Sequence, residues 1–177
     1  MTDALTFDVI HTDDLADTWR AAIINLCAAA YDENFDRLFA LLPGSTHVLA
    51  RLDGELVSHA AWVTRWLQPH GYPALRTAYV EAVATAPAYH GRGFGTAVMQ
   101  RLQQHIDAYD LGALSPSDPA FYARLGWELW RGPLAIRMED QVLPTPDDQV
   151  MILRLPRTPP LDVHALLTAE SRDGEVW

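Results

Sequence analysis

Residues 75–102 read LRTAYVEAVATAPAYHGRGFGTAVMQRL, a strand, a glycine loop and a helix in direct succession. Leu75 to Thr85 reads as one long strand that Pro87 ends, and Gly91, Gly93 and Gly95 lead into a pattern in which Phe94, Val98, Leu102, Ile106 and Tyr109 recur at helical spacing. Glycines at a helix N-terminus let backbone N–H groups and the positive end of the helix dipole face an anion, which suits a phosphate or pyrophosphate. A tight strand-to-helix turn with no ligand uses the same residues, and both readings stand on the loop alone. A dinucleotide fold is a poor alternative, because the glycines fall two apart throughout.

Outward from this unit the chain reads as alternating short elements. Leu5 to Val9 predicts a strand, and Thr12, Asp13 and Asp14 offer caps for a helix through Trp19, Ile23, Leu26 and Cys27 that ends near Tyr31. A short helical pattern at Phe35, Leu38, Phe39 and Leu42 stops at Pro43-Gly44. His47 to Leu52, Asp53-Gly54 and Glu55 to Leu67 then form a hairpin signal, since Asp-Gly between apolar runs is a two-residue turn. Beyond the glycine loop the expectations are a strand at Leu111–Leu114, a helix near Pro119–Leu125 and strands at Trp127–Trp130 and Val150–Leu155. Gly132 to Asp148 reads as a proline-rich extended excursion, and the tail from Arg157 carries a helical pattern at Val163, Leu166 and Leu167.

Composition narrows the chemistry. The 177 residues carry 23 acids against 13 bases, every base is arginine, and the formal net charge is −10. The absence of lysine excludes Schiff-base, pyridoxal-phosphate and P-loop mechanisms. The acidic balance argues against nucleic acid and for cationic partners. The single cysteine, Cys27, forms no internal disulfide, and no Cys/His spacing suggests zinc, so no metal is expected. Asp3 and Asp8 stand where an export signal is basic, and the apolar run Ala21 to Ala30 is short and broken by Asn25; a cytoplasmic protein with no membrane span is the expectation.

These residues resemble the GNAT-superfamily N-acetyltransferases, whose acetyl-CoA loop reads Arg/Gln-x-x-Gly-x-Gly/Ala after a long strand. His90 stands at the first position of that pattern, and Gly93 and Gly95 match it. Tyr79-Val80-Glu81-Ala82-Val83-Ala84-Thr85, the helix after the loop and Phe121-Tyr122-Ala123-Arg124-Leu125-Gly126-Trp127 follow in the family's order. Within the superfamily the chain is most similar to the aminoglycoside 2′-N-acetyltransferases, from about Val9 to Trp177. The similarity rests on Ser58-His59-Ala60-Ala61, Leu111-Gly112-Ala113-Leu114-Ser115, Trp130-Arg131-Gly132-Pro133, Thr145-Pro146-Asp147-Asp148 and Gly174-Glu175-Val176-Trp177.

The resemblance implies an α/β fold with a mixed, twisted and splayed central sheet of six or seven strands and helices on both faces. Residues 1–177 would form one acetyltransferase domain, with 156–177 a tail contributing to the substrate pocket. The coenzyme would enter the splay between the strand ending at Thr85 and that at Leu111–Leu114. The implied reaction moves acetyl from acetyl-CoA, a cosubstrate, to the 2′-amine of an aminoglycoside by direct attack in a ternary complex, giving antibiotic resistance. The resemblance also admits a homodimer with Gly132–Asp148 as its interface.

Such a transfer needs a base for the amine, a donor to the thioester oxygen and an acid for the departing thiolate. Glu81 lies inside a strand between Val80 and Ala82, a costly place for a carboxylate that does not face a cleft, which makes it the candidate base, directly or through water. Pairing with an arginine such as Arg76 is the alternative. The resemblance assigns the oxygen donor to the N–H of Val83, in a strand carrying a bulge, and the acid to Tyr122, whose residue-level alternative is a core tyrosine. It places the coenzyme against Val83, Ala84, Thr85, His90, Gly91, Arg92, Gly93, Phe94, Gly95 and Thr96. For the cationic acceptor it favours Ser115, Asp148, Glu175 and Trp177, with its terminal carboxylate, beside Glu81. Asn34 stands where the resembled enzymes have an aspartate, and Glu175 where they have a shorter acid, so Asp32 and Glu33 enter as compensating carboxylates.

Several residues read as structural. His47 and His59 are expected to be hydrogen-bonded core histidines, and Cys27 to pack within the first helix. Trp177 and Trp66 are the tryptophans suspected of stacking on a sugar. Two other functions stay open on the residues: acetylation of another amine, a polyamine-like metabolite or a protein amino group, and a non-catalytic module that binds acyl-CoA or an aminoglycoside.

Overall fold

Four helices and ten strands are built from residues 4–177, the residues described in the computed structural model, and all counts here are of those residues. They divide into two compact units, one of residues up to Val63 together with Val80–His105, the other of Thr64–Tyr79 and Ile106–Trp177. The sheet strands run both parallel and antiparallel, so the mixed α/β class read from the sequence holds.

In the first unit β1 (Leu5–His11) pairs antiparallel with β2 (Thr46–Leu52), from Leu5↔Leu52 to His11↔Thr46. Between them lie α1 (Asp17–Tyr31) and α2 (Leu38–Leu41). Ile23, Leu26 and Cys27, three and four apart, form the buried stripe of α1. The expected caps Thr12, Asp13 and Asp14 form a separate 3₁₀ turn instead. Thr12 and Leu15 are buried and the Thr12 N–H is tied to the Ser45 carbonyl, so α1 starts only after Ala16, with no side-chain cap. β2 turns through Asp53 and Gly54 into β3 (Glu55–Pro69); their φ values of 51° and 90° are the paired positive angles that a two-residue hairpin turn needs. β3 runs on from the first unit into the second, and β4 (Leu75–Thr85) runs back. α3 (Phe94–Gln103) is shorter than its apolar spacing suggested. The His105 N–H bonds the Leu102 carbonyl while its imidazole takes the Arg101 carbonyl that a continuing helix would use.

The second unit continues with β5 (Leu111–Leu114), α4 (Pro119–Ala123), β6 (Glu128–Leu129), β7 (Leu134–Arg137), β8 (Val142–Pro144), β9 (Met151–Arg154) and β10 (Leu167–Glu170). Thr77–Tyr79 of β4 pairs in parallel with β5, which is followed by β9 and β6, both antiparallel to their neighbours. The end of β3 pairs with β10, β10 runs parallel to β7, and β7 pairs antiparallel with β8. Two expectations are corrected here. Gly132–Asp148 is no mere excursion but holds β7 and β8, and the helical pattern of the tail belongs to no helix. The Val163 carbonyl accepts the N–H groups of both Arg131 and Gly132, the indole of Trp130 bonds the Ala165 carbonyl, and Leu167 opens β10. These added strands raise the count from the expected six or seven to ten.

Candidate active site

The C-terminal half of β4 departs from regular strand geometry at one residue. Ala82 has φ 52°, a left-handed conformation that costs an alanine about 1 kcal/mol or more. Thr77 to Val80 are buried without a break, and Glu81, Ala82 and Val83 after them are all half-buried. The resemblance implied a bulge in the strand that carries Val83, and the positive φ lies one residue before it. The four carbonyls from Ala82 to Thr85 are each taken by a side chain. His59 Nδ1 bonds the Ala82 oxygen at 2.8 Å, the Tyr31 hydroxyl bonds that of Val83, Ser58 Oγ bonds that of Ala84 at 3.0 Å, and His90 Nε2 bonds that of Thr85 at 2.9 Å. Ser58 Oγ also meets Thr85 Oγ1 at 2.8 Å. His90, the departure from the family pattern, is thus folded back to tie the loop to the end of its own strand.

Gly91 and Gly93 take φ values of 73° and 82°, and a Cβ on either would meet open space. Backbone conformation, and not crowding, therefore requires glycine there. Gly93 caps α3 without a side-chain bond, and the first carbonyl used within the helix is that of Gly93, by Ala97, so the N–H groups of Phe94, Gly95 and Thr96 have no helical acceptor. Residues and conformation together fit a coenzyme pyrophosphate. The Arg92 guanidinium lies over the rings of Tyr89 and Phe94, at 5.2 and 5.1 Å, beside that turn.

The same unit holds an open hollow of about 460 Å³, lined by Ile24, Asn25 and Ala28 of α1 and by Asp32, Glu33, Asn34, Phe35 and Asp36. Its carboxylates are a setting for a polycation. The Asn34 side chain is used locally, giving a bond to the Asp36 carboxylate and accepting one from the Asp36 N–H. Tyr31 joins this hollow to β4: its ring packs on Phe35 at 5.4 Å and its hydroxyl reaches Val83. Burial first, then Cys27 and the carboxylates of Glu81 and Glu33, push its phenol up to about 12, which keeps it a donor. This hydroxyl thus bonds Val83 and feels the charges of Glu81 and Glu33. Arg76, the alternative partner for Glu81, lies over the ring of Tyr109 at 4.0 Å in the second unit.

The expectation for the histidines holds. His47 and His59 are fully buried, with Ser45 Oγ 2.8 Å from His47 Nε2 and His47 Nδ1 3.0 Å from His59 Nε2. Burial lowers His47 to about 3, aided by His59, Arg20 and His11, and lowers His59 to about 4. Cys27 is also buried, and burial raises its thiol to about 12, far from a reactive thiolate.

In the second unit Tyr122 sits on α4, whose N-terminus is capped by Asp118 Oδ1 through the N–H groups of Ala120 and Phe121. The Tyr122 ring is buried, edge-on to Phe121 and Trp127. Ser115, Asp148 and Glu175 are exposed. Trp177 is buried, and its indole N–H donates to Thr145 Oγ1 at 2.8 Å, so this tail residue meets the 145–148 turn but offers no open ring face for stacking. Trp66 is about half exposed. Tyr31 is the contributor that the sequence reading left out of the site, and its only signal was position, at the end of a helix and beside the acids already chosen.

Among the described residues no cluster of three or more His, Cys, Asp or Glu side chains could hold a metal ion, and no helix is long and apolar enough to cross a membrane.

Comparison with known proteins agrees with this geometry. The family model for acetyltransferase (GNAT) domains matches residues 13–130. An aminoglycoside 2′-N-acetyltransferase of Mycolicibacterium fortuitum is 37% identical over 97% of this chain and 92% of its own length. An L-2,4-diaminobutyric acid acetyltransferase of Nocardia farcinica is 32% identical over 68% of this chain and 65% of its own. Among solved structures, the GNAT family N-acetyltransferase YhbS of Escherichia coli, in complex with CoA, aligns with a TM-score of 0.66 at 16% identity, covering 98% of this chain and 97% of that one. Larger chains also match, among them a GCN5-related N-acetyltransferase from Kribbella flavida, of which this chain spans 34%. A distorted β4 followed by a glycine loop at the start of α3, the whole-length relative and the domain match lead to one conclusion: the chain belongs to the GNAT acetyltransferases.

Proposed function

We propose that the chain transfers acetyl from acetyl-CoA to the 2′-amine of an aminoglycoside, by direct attack in a ternary complex, and so confers resistance. The observation that carries this reading is the 37% identity, sustained over 97% of the chain, to an enzyme named for that reaction. When bound, acetyl-CoA supplies the activated acetyl group. Gly91 to Thr96, Arg92 among them, hold its pyrophosphate, His90 fixes the loop, and the main chain of Val83, Ala84 and Thr85 lines its pantetheine.

Glu81 takes the proton from the attacking amine, directly or through water, and the Val83 N–H steadies the charge that develops on the thioester oxygen. The new C–N bond forms as the C–S bond breaks, and Tyr122 returns a proton to the thiolate. The buried, protonated Cys27 supports direct attack, since it is no acyl carrier. Asp32, Glu33, Asn34, Ser115, Asp148, Glu175 and Trp177 are the residues that receive the ammonium groups. In this reading residues 1–177 act as one domain, 156–177 contributes to acceptor binding, and the protein is a cytoplasmic homodimer that engages neither nucleic acid nor membrane. The net charge of −10 supports the preference for a cation.

The similarity to a diaminobutyric acid acetyltransferase favours a second reading, in which the acceptor is a small diamine. Coenzyme A thiol release separates the two, with paired aminoglycosides bearing an amine or a hydroxyl at the 2′ carbon and diaminobutyric acid as a third acceptor. Turnover confined to the 2′-amino member is expected. Turnover only with the diamino acid would replace the first reading by the second.

A further inference from the structure

The buried pair His47 and His59 lies outside the chemistry assigned above, yet its hydrogen bonds end on the one peptide whose orientation that chemistry needs. The Ala82 oxygen can only accept, so His59 carries its proton on Nδ1 and, being neutral, leaves Nε2 as an acceptor. His47 must then donate from Nδ1, which leaves its Nε2 to accept from the Ser45 hydroxyl. Every proton in the chain is thereby fixed in one direction, from Ser45 through His47 and His59 to Ala82. All three side chains are fully buried, so water offers no competing partner.

The Ala82 carbonyl belongs to the same planar unit as the Val83 N–H. The peptide is trans, so the two groups point in opposite directions, and holding one aims the other. A hydrogen bond on the carbonyl also polarises the amide and strengthens its N–H as a donor. A left-handed backbone is unfavourable for Ala82 by itself, and the bond to its carbonyl offsets part of that cost. We infer that Ser45, His47 and His59 are positioning residues for acetyl transfer: their one-way hydrogen-bond chain clamps the Ala82 carbonyl and so aims the Val83 N–H at the thioester oxygen. The inference rests on the reading of Val83 as the donor to that oxygen.

The test compares His59→Leu, which removes the donor, with His59→Asn, whose amide nitrogen can stand where Nδ1 does. For each variant, kcat and KM are measured, and the carbonyl stretch of acetyl-CoA labelled with carbon-13 at the thioester is read by infrared difference spectroscopy on the bound complex. Wild type should lower that stretch relative to free acetyl-CoA. His59→Leu should return it toward the free value and reduce kcat by roughly 10- to 100-fold, short of the 10²–10³ lost when such a donor is deleted, with KM for acetyl-CoA within about threefold. His59→Asn should restore most of both. A lowered stretch retained in His59→Leu, with kcat falling only as far as the folded fraction, overturns the inference. A stretch that wild type leaves unshifted would instead remove Val83 as the donor, and the inference with it. If His59→Leu does not fold, Ser45→Ala is read the same way: a smaller shift and a several-fold loss of kcat support the inference, and no change in either overturns it.

Discussion

Arg65 places an almost wholly buried guanidinium against Glu170, bonding its carboxylate through Nε at 3.2 Å and its main-chain carbonyl through Nη2 at 2.8 Å. Its Nη1 reaches the Val176 carbonyl, and its Cζ lies 4.9 Å from the centroid of the Tyr79 ring. Burial, and then Arg172 nearby, lowers the affinity of this guanidinium for its proton, while Glu170 offsets the effect. One side chain thus fixes both β10 and the segment carrying Glu175 and Trp177. Arg65→Ala should cost about 2–3 kcal/mol, below the range for fully buried pairs because the Glu170 carboxylate is partly exposed. Urea unfolding gives that number, and a variant within about 0.5 kcal/mol of wild type would show the tail to be held by other contacts.

Stability should fall on mild acidification. The unfolded chain binds protons at His47 and His59 near pH 6.5, while the folded chain takes them only near 3 and 4. Their neutral forms therefore favour the fold fully above pH 6.5, and that contribution is lost as the pH drops below it. The slope is at most about 1.4 kcal/mol per pH unit for each histidine. Urea unfolding between pH 6.5 and 5, above the range where carboxylates titrate, measures it. The slope should shrink in His47→Leu, and an unchanged slope there would assign the effect to other groups.

Gly132 and Gly71 should answer differently to alanine. A Cβ at Gly132 would lie 2.0 Å from the Ala165 carbonyl oxygen and 2.5 Å from that of His164, both main-chain atoms. The 163–165 segment would have to move, breaking the bonds of Arg131 and Gly132 to Val163, and a loss above about 3 kcal/mol is expected. At Gly71 the φ of 82° is unfavourable but the space is open, so about 1 kcal/mol is expected. Thermal unfolding of the two variants checks the order.

Tyr31→Phe keeps the ring on Phe35 and removes only the bond to the Val83 carbonyl. About 1 kcal/mol of stability and a several-fold loss of kcat are expected. Unaltered kinetics in a destabilised variant would confine Tyr31 to a structural role.

Glu81→Gln and Tyr122→Phe should lower kcat by roughly 10²–10⁴, the contribution of a positioned acid or base, with coenzyme affinity little changed. Steady-state kinetics beside calorimetric titration with CoA separates the two quantities. Parallel losses in both would mark these residues as binding groups.

Local signals located much of this molecule. Asp53-Gly54 fixed the β2 to β3 turn, and β4 and β5 run over the residues that their apolar runs and flanking turn residues indicated. What escaped was non-local or conformational. The parallel pairing of β7 with β10 joins segments about thirty residues apart, and neither is longer than four residues, too short to show a period. Val163, Leu166 and Leu167 have helical spacing, but the Val163 carbonyl is occupied by Arg131 and Gly132. The candidate base and coenzyme loop were legible because a carboxylate in an apolar strand and glycines before a helix are unusual. The left-handed alanine was not, because alanine carries no mark of positive φ. The partners that hold its peptide come from β2 and β3, and only the fold assembles them.

β10 is the last strand in the chain and yet lies between β3 and β7, bonded to both. Until residues 167–170 emerge during synthesis, each of those two strands keeps a row of free main-chain donors and acceptors on the side that β10 will cover. Such open edges template pairing between molecules. Truncation before Leu167 is therefore a route to aggregation rather than to a smaller enzyme. The tail joins β3 to β7 in the same event that carries Glu175 and Trp177 into the fold.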